Sequence, residues 1–120
     1  MKAKAPLTAA RERLSEQVMM RKVSDIETAF SRVKASAEKF MDGDRASGDQ
    51  SFQDIFALNN EIGRMARELP KTMPRMKELQ AYVNMITVGL KHGKMDELRE
   101  GLSVTEESIK ALSREFSSTP

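Results

Sequence analysis

In four stretches of this chain the large apolar residues return in alternating steps of three and four, a spacing that decides the fold class before any other property is weighed. The first runs Met19, Val23, Ile26, Phe30, Val33, Ala37, Phe40, with Leu7, Ala10 and Leu14 ahead of it in a compatible phase. The second is Ile55, Leu58, Ile62, Met65, Leu69, and the third Met76, Leu79, Val83, Ile86, Leu90. The fourth is Met95, Leu98, Leu102, Thr105, Ile109, Leu112, Phe116. Such steps hold side chains on one stripe of an α-helix, and each stripe needs another helix to cover it. No stretch alternates with a period of two, so no strand is expected. The expectation is an all-α fold, an elongated bundle of about four helices with a long N-terminal helix and coiled-coil-like hairpins, in one domain.

Glycine, proline and small polar residues set the limits. The pattern predicts helices over 7–41, 51–69, 75–92 and 94–116, with flexible ends at 1–6 and 117–120. Gly43 supplies a left-handed turn after the first helix, residues 42–50 form a loop, and Ser51 followed by Asp54 is an N-cap for the second. Pro70 and Pro74 bracket a turn, where Leu69 is pushed out of helical geometry and Thr72 caps the next helix. Gly93 ends the third helix and leaves a tight hairpin to the fourth. A helix over 7–41 would be about 50 Å long, against a diameter of about 35 Å for a compact chain of this size. It either overhangs or breaks at Ser24–Glu27, "SDIE", which has the spacing of a capping box. The apolar phase runs through that point undisturbed, which favours one continuous helix.

Little in the sequence points to chemistry. With no cysteine there is no disulfide framework, thiolate nucleophile or cysteine zinc site. The run "MDGDRASGDQSFQD" from Met41 to Asp54 is rich in aspartate, but aligned as a calcium loop it puts Ala46 at the fifth position, Ser47 at the sixth and Gln53 at the twelfth. Those positions require an oxygen ligand, a glycine and a glutamate. His92 is the only histidine and suits the last turn of a helix, where a basic side chain complements the dipole. Carboxylate pairs such as Glu97/Glu100 and Glu106/Glu107 read as solvated faces. No catalytic residue, metal ligand or cofactor is expected. No apolar run is long enough to span a membrane, and the expectation is a soluble, cytoplasmic protein.

The net charge of +2, from 20 basic and 18 acidic residues, is too balanced for a protein that works mainly by neutralising phosphates. Its distribution is uneven: the start and the middle lean basic, the tail acidic. Arg64, Arg67, Lys71, Arg75 and Lys77 are the candidate contacts if the chain meets nucleic acid, with only Tyr82 as an aromatic nearby. A phosphate-driven contact would weaken steeply with salt.

The third helix is apolar almost all round, since Met73, Tyr82, Met85 and Val88 lie off its main stripe. Two readings follow. It is the central helix of the bundle, contacted on several sides, or it carries a second face for a partner helix, with Tyr82, Met85, Val88 and Met73 as contacts and Gly89 allowing close approach. The nine methionines fit gap-filling in the core and also an adaptable binding surface. The function expected is a non-enzymatic protein–protein interaction module, such as an adaptor, accessory subunit or small chaperone for helical partners, forming homo- or hetero-oligomers.

One local stretch, "VGLKHGKMDELREGLSVTEESIKAL" from Val88 to Leu112, resembles the turn and second helix of a tetratricopeptide repeat. The resemblance covers one repeat, and no second copy follows at that family's period of about 34 residues.

Overall fold

The computed structural model describes the backbone of residues 6–117 and the side chains of residues 16–115. Four α-helices account for nearly all of it: α1 Pro6–Met41, α2 Ser47–Glu68, α3 Met73–His92 and α4 Met95–Ser117, with a single turn of 3-10 helix at Pro70–Thr72. Among the described residues there is no strand. The flexible ends expected at 1–6 and 117–120 fall outside the described residues except for Pro6 and Ser117, which are helical.

Successive helices run antiparallel, α1 packing on α2, α2 on α3, α3 on α4, and α4 closing back onto α1. This is an up-down-up-down square bundle, the arrangement that short connections between amphipathic helices produce. The core is made by the predicted stripes. Ile26, Val33, Leu58, Ile62, Met65, Val83, Ile86 and Leu98 are fully enclosed, and Val23, Met76, Leu79, Ile109 and Leu112 are close to it. Each such side chain contributes about 1.5–3 kcal/mol through its removal from water.

The helix ends follow from local chemistry. Gly43 at φ 109° and Gly93 at φ 64° are the only residues with positive φ, among those described. Behind each, two backbone bonds close the preceding helix: Asp44 N–H to Lys39 O and Gly43 N–H to Phe40 O, then Lys94 N–H to Gly89 O and Gly93 N–H to Leu90 O. Both are Schellman turns, which satisfy carbonyls the helix leaves open.

Three local expectations change. The second helix begins at Ser47 rather than Ser51, because Ser47 donates its hydroxyl to Asp44 Oδ2 at 2.9 Å and Gly48 fits beneath the Phe40 ring, where a Cβ would come within 3.1 Å. Ser51 is therefore not a cap. It is wholly buried and donates to Ser36 Oγ of α1 at 2.9 Å, while Ser36 donates to Asp54 Oδ2 at 2.9 Å. Thr72 closes the helix before it rather than opening the one after: its hydroxyl donates to Leu69 O at 2.7 Å and Met65 O at 3.3 Å, at the end of α2. Helix α3 then starts at Met73 with Pro74 inside its first turn, where the missing N–H costs nothing.

Helix α1 is continuous through Ser24, whose side chain and that of Glu27 stay on the exposed face while Val23 and Ile26 remain in the core. It is also far longer than the helices beside it, 36 residues against 22, 20 and 23. Lys22 pairs with Glu68 at 3.2 Å, which sets Lys22 level with the last turn of α2. Lys34 pairs with Glu106 at 3.1 Å, and the antiparallel run of α4 from there brings its last turn level with about residue 23 of α1. The first 16 or so helical residues of α1 thus project about 24 Å past the bundle, which accounts for overall dimensions of 64 × 20 × 20 Å.

Candidate functional site

Helix α3 has two helical neighbours, α2 and α4, as does every helix of the bundle. It is not a central helix, so its surplus apolar residues lack the several-sided covering that a central position would give. Tyr82, Met85 and Val88 are half-buried and Met73 is 41% exposed.

These residues do not form one patch. Nine positions at 100° each put Met73 on the side of α3 opposite Tyr82, and Val88, six positions beyond Tyr82, lies about 120° round from it. Gly89 belongs to the interior: it is buried, and a Cβ there would fall 2.8 Å from both the N and the Cα of Leu98. The helix whose approach it permits is α4 of the same chain, so Gly89 is not available to a partner. Gly101 of α4 does the same in return, since a Cβ on it would lie 2.9 Å from the Ile86 amide nitrogen and 3.1 Å from the Met85 carbonyl carbon. Two reciprocal glycines thus bring the α3 and α4 backbones into contact.

Alongside that contact Tyr82 borders an open groove of about 590 Å³. Arg75, Glu78 and Tyr82 form its α3 wall, and the small side chains Ser103, Val104, Ser108 and Ala111 with Glu107 form its α4 wall. The Tyr82 hydroxyl donates to Glu78 Oε1 at 3.1 Å. That bond to a carboxylate, and then the charge itself, hold the phenol above its ordinary pKa, so Tyr82 stays neutral at physiological pH. The Arg75 guanidinium is engaged by the Glu115 carboxylate at the end of α4. The groove therefore offers one amphipathic ring, a floor of small residues and a rim on which Glu78 and Glu107 are acidic.

The basic positions are spread over α2, the turn and α3. Arg64 pairs with Glu61 at 3.1 Å and Arg75 with Glu115, whereas Arg67, Lys71 and Lys77 are exposed with Glu68 and Glu78 among them. Among the described residues no three histidine, cysteine or acidic side chains converge as metal ligands would, and no helix is long and apolar enough to cross a membrane.

The sequence did not disclose the α4 half of the groove. Its residues are small and polar, unremarkable along the chain, and only the register of α4 against α3 brings them beside Tyr82. Gly101 gave a usable signal, because a glycine inside a strong helical pattern costs about 1 kcal/mol and usually marks close packing.

No family model, curated protein or solved structure matches the chain.

Proposed function

We propose that the chain is a non-enzymatic, cytoplasmic protein–protein interaction module, an adaptor, accessory subunit or small chaperone that binds helical partners and oligomerises through α1. The observation that carries this reading is the length of α1. A bundle gains nothing internally from a helix that runs about 24 Å beyond its end, yet the described part of that overhang bears Val18 at 37% and Met20 at 52% exposure. A helix held in the bundle at one end and exposed at Val18 and Met20 is pre-organised to receive a second helix, which reduces the ordering cost of association. The half-covered apolar side of α3 at Tyr82 and Met85 supplies the second contact surface. Binding is helix-on-helix burial, in which each large apolar side chain contributes about 1.5–3 kcal/mol before the cost of association.

The test is affinity capture from the native host by the tagged chain, with quantitative mass spectrometry of what is retained. A specific partner is expected, lost from the Tyr82→Ala/Met85→Ala variant while that variant keeps its helical circular dichroism. A strictly monomeric chain that retains nothing specific, or retains the same proteins in the variant, contradicts the reading.

A further inference from the structure

We infer that the chain pairs with a second copy of itself through the outer face of α2, the two α2 helices lying antiparallel across a two-fold axis level with Ala57 and Leu58. This contact is separate from the α1 overhang and goes beyond the interaction-module reading, which leaves that face unused.

The first support is a stripe of α2 that the bundle does not cover. Phe52, Phe56, Asn59 and Gly63 recur in steps of four, three and four, so they share one face of the helix. It lies away from the side that meets α1, where Asp54, Ala57 and Glu61 sit. Phe56 is 69% and Phe52 38% exposed, and both rings stand outside the core cluster. Gly63 completes the stripe without an internal reason. The other helical glycines, Gly48, Gly89 and Gly101, make room for Phe40, Leu98 and Ile86, whereas a Cβ at Gly63 would meet only the tip of the Arg67 side chain, Nη1 at 3.2 Å. A glycine inside a helix costs about 1 kcal/mol, and one that the fold itself does not require points to close approach from outside.

The second support selects the occupant, because the stripe is complementary to itself when reversed. Antiparallel pairing that sets Phe52 level with the partner's Gly63 also sets Phe56 level with the partner's Asn59, both pairs centring on one point between residues 57 and 58. Each Phe52 ring then enters the gap left by the other copy's glycine, knob into hole, and the two-fold axis repeats the contact. The same register brings Asp49 of each copy within about 1.5 Å, along the helix axis, of the level of the partner's Arg67. Asp49 and Arg67 are about five full turns apart, so they hold the same bearing on α2 and flank the stripe at its two ends. Both are exposed, and among the described residues neither has an ion pair within the chain. The Arg67 guanidinium lies over Gly63, and turning to the partner's Asp49 uncovers the seat for Phe52. Between these two charges the stripe is neutral, so setting it against its own copy brings no like charges together. An unrelated helix would have to reproduce this spacing by chance, whereas a second copy carries it.

The experiment is oxidation of the full chain carrying Asp49→Cys/Arg67→Cys. The chain has no cysteine of its own, and the two positions are about 27 Å apart along one helix, too far for an internal disulfide. A covalent dimer is expected from the double variant and from an equal mixture of the two single variants, but from neither single variant alone. Adding Val18→Glu/Met20→Glu, which alters only the α1 surface, should leave that dimer unchanged. In sedimentation velocity Gly63→Leu and Asp49→Arg should each raise the dimer Kd at least about tenfold with helical circular dichroism retained. Adding Arg67→Asp to Asp49→Arg should restore the affinity, because the pairs then re-form with their signs exchanged. Absence of the covalent dimer, its formation from a single variant alone, or association indifferent to Gly63→Leu and to the charge reversal overturns the inference. Association that survives these changes and is lost through Val18→Glu/Met20→Glu also overturns it, while the interaction reading through α1 stands.

Discussion

Replacing Gly89 with alanine sets two known effects against each other and shows how close the α3–α4 contact is. Alanine is the better helix former by about 1 kcal/mol, so in an open helix the change would stabilise. At Gly89 the new methyl would lie 2.8 Å from the N and Cα of Leu98 and 3.0 Å from its Cβ. The two closest atoms are backbone, which cannot turn aside as a flexible side chain can, so α3 and α4 must separate. Overpacking of this kind costs about 1–3 kcal/mol, and an obstacle of backbone places it at or above the upper end. The net loss is about 2 kcal/mol, or about 8 °C in Tm for a chain of this length. Gly63 is the internal control, because a Cβ there meets only the Arg67 guanidinium, at 3.2 Å. Gly63→Ala should keep most of the propensity gain and melt about 3 °C higher. Thermal unfolding followed by far-ultraviolet circular dichroism measures both. A Gly89→Ala protein that melts at or above the wild type, or a Gly63→Ala protein that loses more than it, would refute the reasoning.

Other substitutions test the interior and the surface. Thr105 is wholly buried and its hydroxyl has no hydrogen-bond partner. Thr105→Val should stabilise by about 1 kcal/mol, and a fall in urea midpoint would show that the hydroxyl is bonded after all. Ser36→Ala takes away the acceptor of the buried Ser51 hydroxyl and the donor to Asp54 Oδ2, while Gln50 still donates to Asp54 Oδ1, and should cost about 1–3 kcal/mol. The Ser36→Ala/Ser51→Ala double variant should lose less than the two single losses added together, and strict additivity in chemical denaturation would deny the network. The Lys34–Glu106 pair predicts a pH window. Its hydrogen bond holds Glu106 below the ordinary carboxylate pKa and Lys34 above the ordinary lysine pKa. The Glu106 contribution is lost as pH falls through its lowered pKa, and the Lys34 contribution as pH rises through its raised one. Glu106→Gln should therefore flatten both flanks of the melting temperature against pH, and an unchanged profile would remove the pair from the account.

The core was legible because burial in a helical bundle repeats locally. Val23, Ile26, Leu58, Val83 and Leu98 could each be placed from spacing alone, and the chain ends of α1 and α3 from Gly43 and Gly93. Ser51 and Thr72 were misread for a common reason. A serine or threonine near a helix start has the same sequence signature whether its hydroxyl turns to its own backbone or to another element, and only packing decides. The Ser51 hydroxyl reaches Ser36 because α1 lies against it, and Thr72 turns back because the α2 carbonyls are nearer. Gly89 was recognised as a point of close approach, but the approaching helix proved to be α4. Met73 could have been separated from Tyr82 by angle alone. The α4 wall of the groove could not have been found, since it depends on the register between helices, a long-range property that neither segment carries by itself.

The central claim is that the α1 overhang is a binding surface through which the chain oligomerises. Hydrogen–deuterium exchange of the full chain, compared between dilute and concentrated solution, tests it most directly. The account predicts that protection rises with concentration in α1 before residue 22. Protection of α1 that is independent of concentration, or that rises uniformly over the bundle, would contradict it.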